Sequence, residues 1–185
     1  MCVEKVTMIR DTINYIPDYD LPNNFTFRLF KGEEDIDRWV NIEYKAGEFN
    51  DRESALNRFT SEFEGLDHLL SDRLIFILNE NDEAIGTIMA WFGNRDKSLE
   101  GRIHWVSLLP EYQGLGLSKS LLSKALKTIA INHDSCYLTT SNKHFVAINL
   151  YLKFGFKPSI SGEKDRLVWE KILTQIEKCN NVKAK

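Results

Sequence analysis

The chain has 185 residues, of which 43% are hydrophobic and 28% charged, a composition that favours one soluble globular domain. Its formal net charge of −3 provides no basic field for nucleic acid, and no apolar run approaches the roughly 20 residues of a membrane span. We therefore expect neither nucleic acid nor a membrane as a partner. The cysteines Cys2, Cys136 and Cys179 lack metal-ligand spacing, which favours a reduced cytoplasmic protein with unpaired thiols and no metal.

The first part of the chain predicts an irregular lead-in followed by alternating elements. Pro17, Pro22 and two asparagines interrupt residues 1–24, which we expect to pack on the domain without regular structure. Apolar alternation and helical spacing then predict, in chain order, a strand at 25–30, helices at 33–46 and 52–64, and strands at 74–78, 84–92 and 102–109. Polar turns at 79–83 and 93–98 join the last three strands as hairpins.

The second part predicts crossover helices between strands. The order is a helix at 117–131, a strand at 136–139, a helix at 145–154 and a last strand at 166–171. Residues 25–172 are expected to form the single domain, and residues 173–185 a solvated tail. This order predicts an α/β fold with a mixed sheet rather than a purely parallel one.

A glycine-bearing loop lies between the strand at 102–109 and the following helix. It runs Gln113-Gly114-Leu115-Gly116-Leu117-Ser118 after Pro110. A helix start offers unpaired backbone N–H groups, and glycines let a phosphate approach them, so this pattern predicts an anion site. Lys119 stands where a dinucleotide fingerprint needs its third glycine, and the loop is not a Walker sequence.

This loop resembles the acyl-CoA signature of the GCN5-related N-acetyltransferases (the GNAT family), whose motif is [Q/R]-x-x-G-x-[G/A]. Gln113 and Gly116 match, and Ser118 departs at the last position. The resemblance implies a GNAT-like acyl-CoA N-acyltransferase fold with a splayed central strand pair. It also implies that the loop holds the CoA pyrophosphate and that backbone groups of Val106, Ser107 and Leu108 bind the pantetheine arm.

A second segment, residues 147–156, resembles the family's A-x-x-L-Y-x-K-x-G-F motif. The resemblance implies that Asn149 binds the cofactor. It implies too that Tyr151 lies near the CoA sulfur, where a tyrosine can serve as acid to the departing thiolate. His144 stands where many members carry an asparagine, so one cofactor contact differs from the family's pattern.

Acyl transfer also needs a group that removes a proton from the amine, since amines are protonated near pH 7. His104 lies two and four residues before Val106 and Leu108, so we expect it on their face of the strand. Glu43 and Glu48 are alternatives beside the expected acceptor pocket. A water chain is a further alternative. For His104 a packed or exposed histidine without a catalytic role is the favoured interpretation, and a solvated helix face explains Glu43 and Glu48 equally well.

The resemblance implies an acetyl-CoA-dependent N-acetyltransferase that acts on a primary amine of a small molecule or peptide, with acetyl-CoA as co-substrate and no metal. The alternative is a sensor module that binds CoA or acyl-CoA without turnover. Family members are often dimers, so a homodimer is an expectation from the resemblance alone. Aromatic residues are abundant near the expected acceptor pocket, although most of them suit the core.

Overall fold

The computed structural model describes residues 3–183, and its elements alternate between strands and helices. The strands are β1 (Lys5–Arg10), β2 (Thr26–Leu29), β3 (Leu74–Leu78), β4 (Ala84–Arg95), β5 (Ser98–Leu108), β6 (Cys136–Ser141) and β7 (Lys157–Pro158). The helices are α1 (Glu33–Lys45), α2 (Arg52–Phe63), α3 (Asp67–Arg73), α4 (Leu117–Ile129), α5 (Phe145–Lys153) and α6 (Glu163–Lys183). Among these described residues, no helix is long and apolar enough to cross a membrane.

The strands form one mixed sheet in the order β2-β3-β4-β5-β6-β1-β7. β5 and β6 are its parallel neighbours at the centre, and they pair only where Gly101–Ile103 faces Cys136–Leu138. Beyond this point β5 continues to Leu108 and β6 to Ser141 without pairing to each other. The predicted α/β class with a splayed central strand pair is confirmed.

Helices cover the two faces of the sheet at β4 and β5. Gly101, Ile103 and Leu108 share the face toward α4, where Ile129 leaves no room for a side chain at Gly101. Ser107 and His104 share the other face, where they contact side chains of α1 and α2. The core between these layers is built from the apolar stripe of α4 that the sequence predicts, with Leu117, Leu121, Leu122, Ala125 and Ile129 all buried.

The N-terminal region contains a strand that the sequence analysis missed. β1 lies inside the sheet, antiparallel to β6 over Lys5–Arg10 and to β7 at Met8 and Ile9. Its side chains alternate, with Val6 and Met8 buried. The prediction of an irregular lead-in over residues 1–24 is therefore wrong for β1, because six alternating residues give a weaker signal than the prolines that follow.

Residues 11–24 do lack regular structure, and they follow α4 closely. Ile13 donates its backbone N–H to the Asp134 carbonyl at 2.7 Å, just beyond the end of α4. Ser120 donates to the Asp20 carbonyl at 2.8 Å, and Ser123 donates to the Pro17 carbonyl. These hydrogen bonds fix the segment along the outer side of the helix. The division of the chain into a lead-in, a domain and a tail stays a prediction.

The C-terminal region is a helix where a strand and a tail were predicted. Residues 166–171 belong to α6, and most of the expected tail continues the same helix. Trp169, Ile172 and Ile176 are buried at the helical spacing i, i+3 and i+7, so packing of one apolar stripe explains the helix. The predicted strand is wrong. The three consecutive apolar residues at 167–169 resemble a short strand, whereas the helical spacing of Trp169, Ile172 and Ile176 extends beyond the predicted segment.

The β4–β5 hairpin is longer than predicted. Asp96 and Lys97, both with positive φ, make the two-residue turn, and Gly93 lies within β4 rather than in the turn. A side chain at Gly93 would meet the Tyr137 hydroxyl at 2.4 Å, so close packing explains this glycine. α3 was not predicted, while the strand at 74–78 and the starts of α1, α2, α4 and α5 match the structure.

The position of β1 predicts unequal effects of substitutions at neighbouring residues. Met8 is fully buried between β6 and β7, so Met8→Ala should lower the free energy of unfolding by about 3 kcal/mol. Thr7 is only half-buried, and Thr7→Ala should cost under about 1 kcal/mol. Urea unfolding followed by circular dichroism measures both. Equal, small losses would contradict a strand inside the sheet.

Candidate functional site

The loop after β5 exposes a run of backbone N–H groups. A 3₁₀ turn at Pro110–Tyr112 follows the strand, and Gly114 and Gly116 then both adopt φ of +83°. Within the described part of the chain, the N–H groups of residues 114–118 donate no hydrogen bond. The first partner appears at Lys119, whose N–H donates to the Gly116 carbonyl at 2.9 Å. Consecutive free N–H groups at a helix start form a site suited to an anion.

The space above this loop is open to a ligand. A Cβ added at Gly114 or Gly116 would meet nothing within 4 Å. Gln113 and Leu115 are exposed, and the Gln113 side chain donates to the Leu108 carbonyl at 3.4 Å. Leu117 is buried and anchors α4, while Ser118 is half-buried in the first turn. The predicted loop residues are thus brought together around one accessible surface.

A β-bulge in β5 determines which residues face each side of the sheet. His104 is opposite Met89 and Ser107 is opposite Thr87, so β5 places the two residues between them against one residue of β4. Trp105 has φ of +45°, a strained value for a bulky residue. The bulge reverses the alternation, so His104 shares its face with Ser107. The prediction that His104 shares the face of Leu108 is therefore wrong, because a bulge cannot be seen in the spacing.

His104 is held by a carboxylate that the sequence analysis did not consider. Its Nε2 lies 3.0 Å from Oε2 of Glu62 on α2, and Trp105 donates its indole N–H to the same oxygen at 2.8 Å. Burial lowers the pKa of His104, although the hydrogen bond to Glu62 opposes this. Burial acts to raise the pKa of Glu62, but the hydrogen bonds from His104 and Trp105 outweigh it, so that pKa is lowered. His104 is thus packed and paired.

Glu43 is fully buried on the same face of the sheet. Ser107 donates its hydroxyl to Oε2 of Glu43 at 2.9 Å, and Oε1 is buried without a partner among the described residues. Burial raises the pKa of Glu43 to about 8, the Ser107 hydrogen bond opposes this, and the negative charge of Glu48 adds to it. The Ser107 side chain therefore points at α1, and Val106 is half-buried within the bulge.

Glu48 and Tyr151 lie within electrostatic range of each other. Glu48 is exposed after the end of α1, and its backbone N–H donates to the Glu43 carbonyl at 3.1 Å. Tyr151 lies on α5 with only 6% of its surface exposed. Burial raises the pKa of Tyr151 well above its usual range, and the charge of Glu48 raises it further. Both groups were predicted as site residues from distant parts of the sequence.

The side chain of Asn149 contacts the C-terminal helix α6. Its side-chain amide donates to Oδ1 of Asn180 on α6 at 3.3 Å, and this bond is at the surface. His144, the departure from the family's pattern, is exposed before α5, with Nδ1 3.4 Å from the Thr140 hydroxyl. Within residues 3–183, no group of three His, Cys, Asp or Glu side chains could hold a metal ion.

Three aromatic residues near the expected acceptor pocket, Trp39, Phe49 and Trp105, form one cluster around the bulge. Trp105 packs against Trp39 at 5.4 Å between ring centroids and against Phe49 at 5.6 Å. Trp39 is fully buried, whereas Phe49 and Trp105 are half-buried. The cluster thus belongs partly to the core and partly to the surface beside Glu48.

The buried carboxyl group of Glu43 predicts a pH dependence of stability. A carboxyl whose pKa is about 8 in the folded state and about 4.5 when unfolded stabilises the fold fully below pH 4.5, and this stabilisation is lost as pH rises to 8. Glu43→Gln removes the titration, so its melting temperature should rise relative to wild type between pH 5 and 9. Thermal unfolding measures this, with the exposed Glu80→Gln as control. Parallel pH curves for wild type and Glu43→Gln would contradict a raised pKa.

Comparison with known proteins places this site in a family. A sequence profile described as the Acetyltransferase (GNAT) family matches residues 34–156, more than half of the chain. An N-alpha-acetyltransferase of Sulfurisphaera tokodaii is 31% identical over 103 residues, which are 50% of this chain and 62% of that protein. The chain therefore spans less than two thirds of this relative.

Solved structures share the fold at low sequence identity. A GCN5-related N-acetyltransferase from Sphaerobacter thermophilus has a TM-score of 0.67 and 17% sequence identity to this chain. The match covers 84% of this chain and 48% of the Sphaerobacter chain. A GCN5-related glucosamine N-acetyltransferase region of a fungal multi-domain GH3 β-N-acetylglucosaminidase has a TM-score of 0.62 and 14% identity, covering 85% and 20%. With the profile match spanning the loop, the bulged strand and Tyr151, this chain belongs to the acetyltransferase (GNAT) family.

Proposed function

We propose that the chain is an acetyl-CoA-dependent N-acetyltransferase that acts on a primary amine of a small molecule or peptide. The observation that carries this proposal is the opening between β5 and β6. The loop with the free N–H groups of residues 114–118 comes directly after the unpaired end of β5. A pyrophosphate on the loop leaves the pantetheine arm free to enter that opening beside Val106–Leu108. The related N-alpha-acetyltransferase supports an amine acceptor.

The chemistry begins with the loss of a proton from the acceptor ammonium. We assign the proton acceptor to Glu48, because it is exposed beside the aromatic cluster and acts electrostatically on Tyr151. His104 is less suited, since its imidazole is bonded to Glu62 and has only 13% of its surface exposed. The freed amine attacks the thioester carbonyl, and a backbone N–H near Leu108 donates to the oxyanion.

Collapse of the intermediate breaks the C–S bond, and Tyr151 donates its proton to the leaving thiolate. The extra proton that remains on the acceptor nitrogen passes to the Tyr151 phenolate, which leaves a neutral amide and restores the phenol. The raised pKa of Tyr151 keeps the phenol protonated at neutral pH, as an acid requires. The negative charge of Glu48 contributes to that rise. Once Glu48 has accepted the ammonium proton, this contribution disappears and Tyr151 becomes a better proton donor. The two steps are thereby coupled in the order that the reaction needs.

Tyr151→Phe tests the leaving-group role. Phenylalanine keeps the ring packing against Phe156 but removes the proton, so kcat should fall about 10²-fold while the Kd for acetyl-CoA changes little. Thiol release with a panel of small amines and peptides measures turnover, and calorimetry measures binding. Unchanged kcat would remove Tyr151 from catalysis. A wild type that binds acetyl-CoA tightly but acetylates no acceptor would favour the sensor alternative.

Gly116→Val tests the pyrophosphate loop. The new side chain would project into the open space above the free N–H groups, so the Kd for CoA should rise about tenfold. Gly65→Val is a matched control, since Gly65 also has positive φ with nothing within 4 Å but lies between α2 and α3. Equal effects of both variants on CoA binding would show that backbone strain alone is responsible and would contradict a loop that holds CoA.

A further inference from the structure

Glu43 is a buried titratable group to which the proposed reaction gives no task. It has no solvent exposure, and an ionised carboxylate is costly to bury without full pairing. One oxygen accepts the Ser107 hydroxyl, and the other has no partner among the described residues. An ionised carboxylate would leave that second oxygen unsatisfied, so the environment favours the neutral acid.

The neighbouring strand adds a second buried hydroxyl on this face of the sheet. Thr87 is opposite Ser107 in the β4–β5 pair, so both side chains lie on one face at a typical spacing of about 5 Å. The Thr87 hydroxyl oxygen is also buried, with no partner in the part of the chain described. A neutral Glu43 accepts from Ser107 on one oxygen and leaves no charge on the oxygen that lacks a partner, and Thr87 provides that oxygen no hydrogen bond.

The surrounding charges also oppose ionisation of Glu43. Glu48, which follows α1, acts on it with a negative charge. On α2, Arg58 pairs with Glu62 at 3.4 Å, and Glu62 binds His104, so these charges are engaged with one another. β4 and β5 contribute the hydroxyls of Thr87 and Ser107 to this face. Burial, together with the negative charge of Glu48, raises the pKa of Glu43 to about 8.

We propose that Glu43 is a positioning residue that works as a neutral carboxylic acid, holding Ser107 and the bulged end of β5 in place for acetyl transfer. This inference depends on the proposed function. Ser107 is the middle residue of the segment expected to bind the pantetheine arm, so its fixed side chain orients the backbone on both sides. Ionisation of Glu43 would add a second negative charge beside Glu48 and oppose formation of the oxyanion and the thiolate.

Glu43→Gln separates this role from that of a proton acceptor. Glutamine is neutral and keeps an acceptor for the Ser107 hydroxyl, so kcat at pH 7 should stay within about threefold of wild type. The ratio of the variant's kcat to that of wild type should then rise at least about tenfold between pH 7 and 9.5. Over this range the Glu43 carboxyl of wild type loses its proton, whereas glutamine does not titrate. Glu43→Ala should lower kcat at every pH, and Glu48→Gln should be inactive at pH 7.

Three results would overturn the proposal. A folded Glu43→Gln variant as inactive as Glu48→Gln at all pH values would make Glu43 the proton acceptor. A constant kcat ratio across the pH range would show that ionisation of Glu43 is without effect. An infrared difference spectrum of wild type against Glu43→Gln tests the neutral state separately, and the absence of a protonated-carboxyl band at pH 7 would refute it. A wild type that acetylates no amine would refute the proposed function instead.

Discussion

The site depends on one constraint, the departure of β5 from regular pairing on both of its edges at once. Toward β6 the pairing ends at Ile103, and toward β4 the register shifts at Trp105 and Val106. The strain of Trp105 at positive φ costs on the order of 1–3 kcal/mol. Its indole hydrogen bond to Glu62 and its packing on Trp39 and Phe49 offset that cost. Without the bulge, Ser107 would not face Glu43.

This constraint also connects α1 and α2 to the sheet. Glu43 of α1 and Glu62 of α2 each reach β5 through one hydrogen-bonded side chain, Ser107 and His104 respectively. The two carboxyl groups behave differently because of their partners. Glu62 accepts from two ring N–H groups and remains a carboxylate, whereas Glu43 has one weak donor and a fully buried position. Two residues of β5 that are three positions apart, His104 and Ser107, thus contact one carboxyl group whose pKa is lowered and one whose pKa is raised.

Much of the fold is encoded locally and could be predicted from the sequence. α1, α2, α4 and α5 have apolar stripes of helical spacing, and the buried run of β3 is unambiguous. β1 and α6 were misjudged because their assignment depends on tertiary packing. The glycine loop could be located because φ of +83° at Gly114 and Gly116 requires glycine. The bulge, the pairing of His104 with Glu62 and the contact of Asn149 with Asn180 depend on contacts between distant segments, which one sequence does not reveal.

The place of β1 in the sheet has a consequence for how the chain is made. β1 is synthesised before β6 and β7, which are its neighbours in the sheet, so Lys5 must wait for Ser141 and Met8 for Pro158. The strands from β2 to β5 can pair as they emerge, but the other half of the sheet closes only after β6 and β7 have been made. Such distant contacts slow folding, because a long loop must be ordered before they form. β1 is therefore made well before the strands with which it pairs.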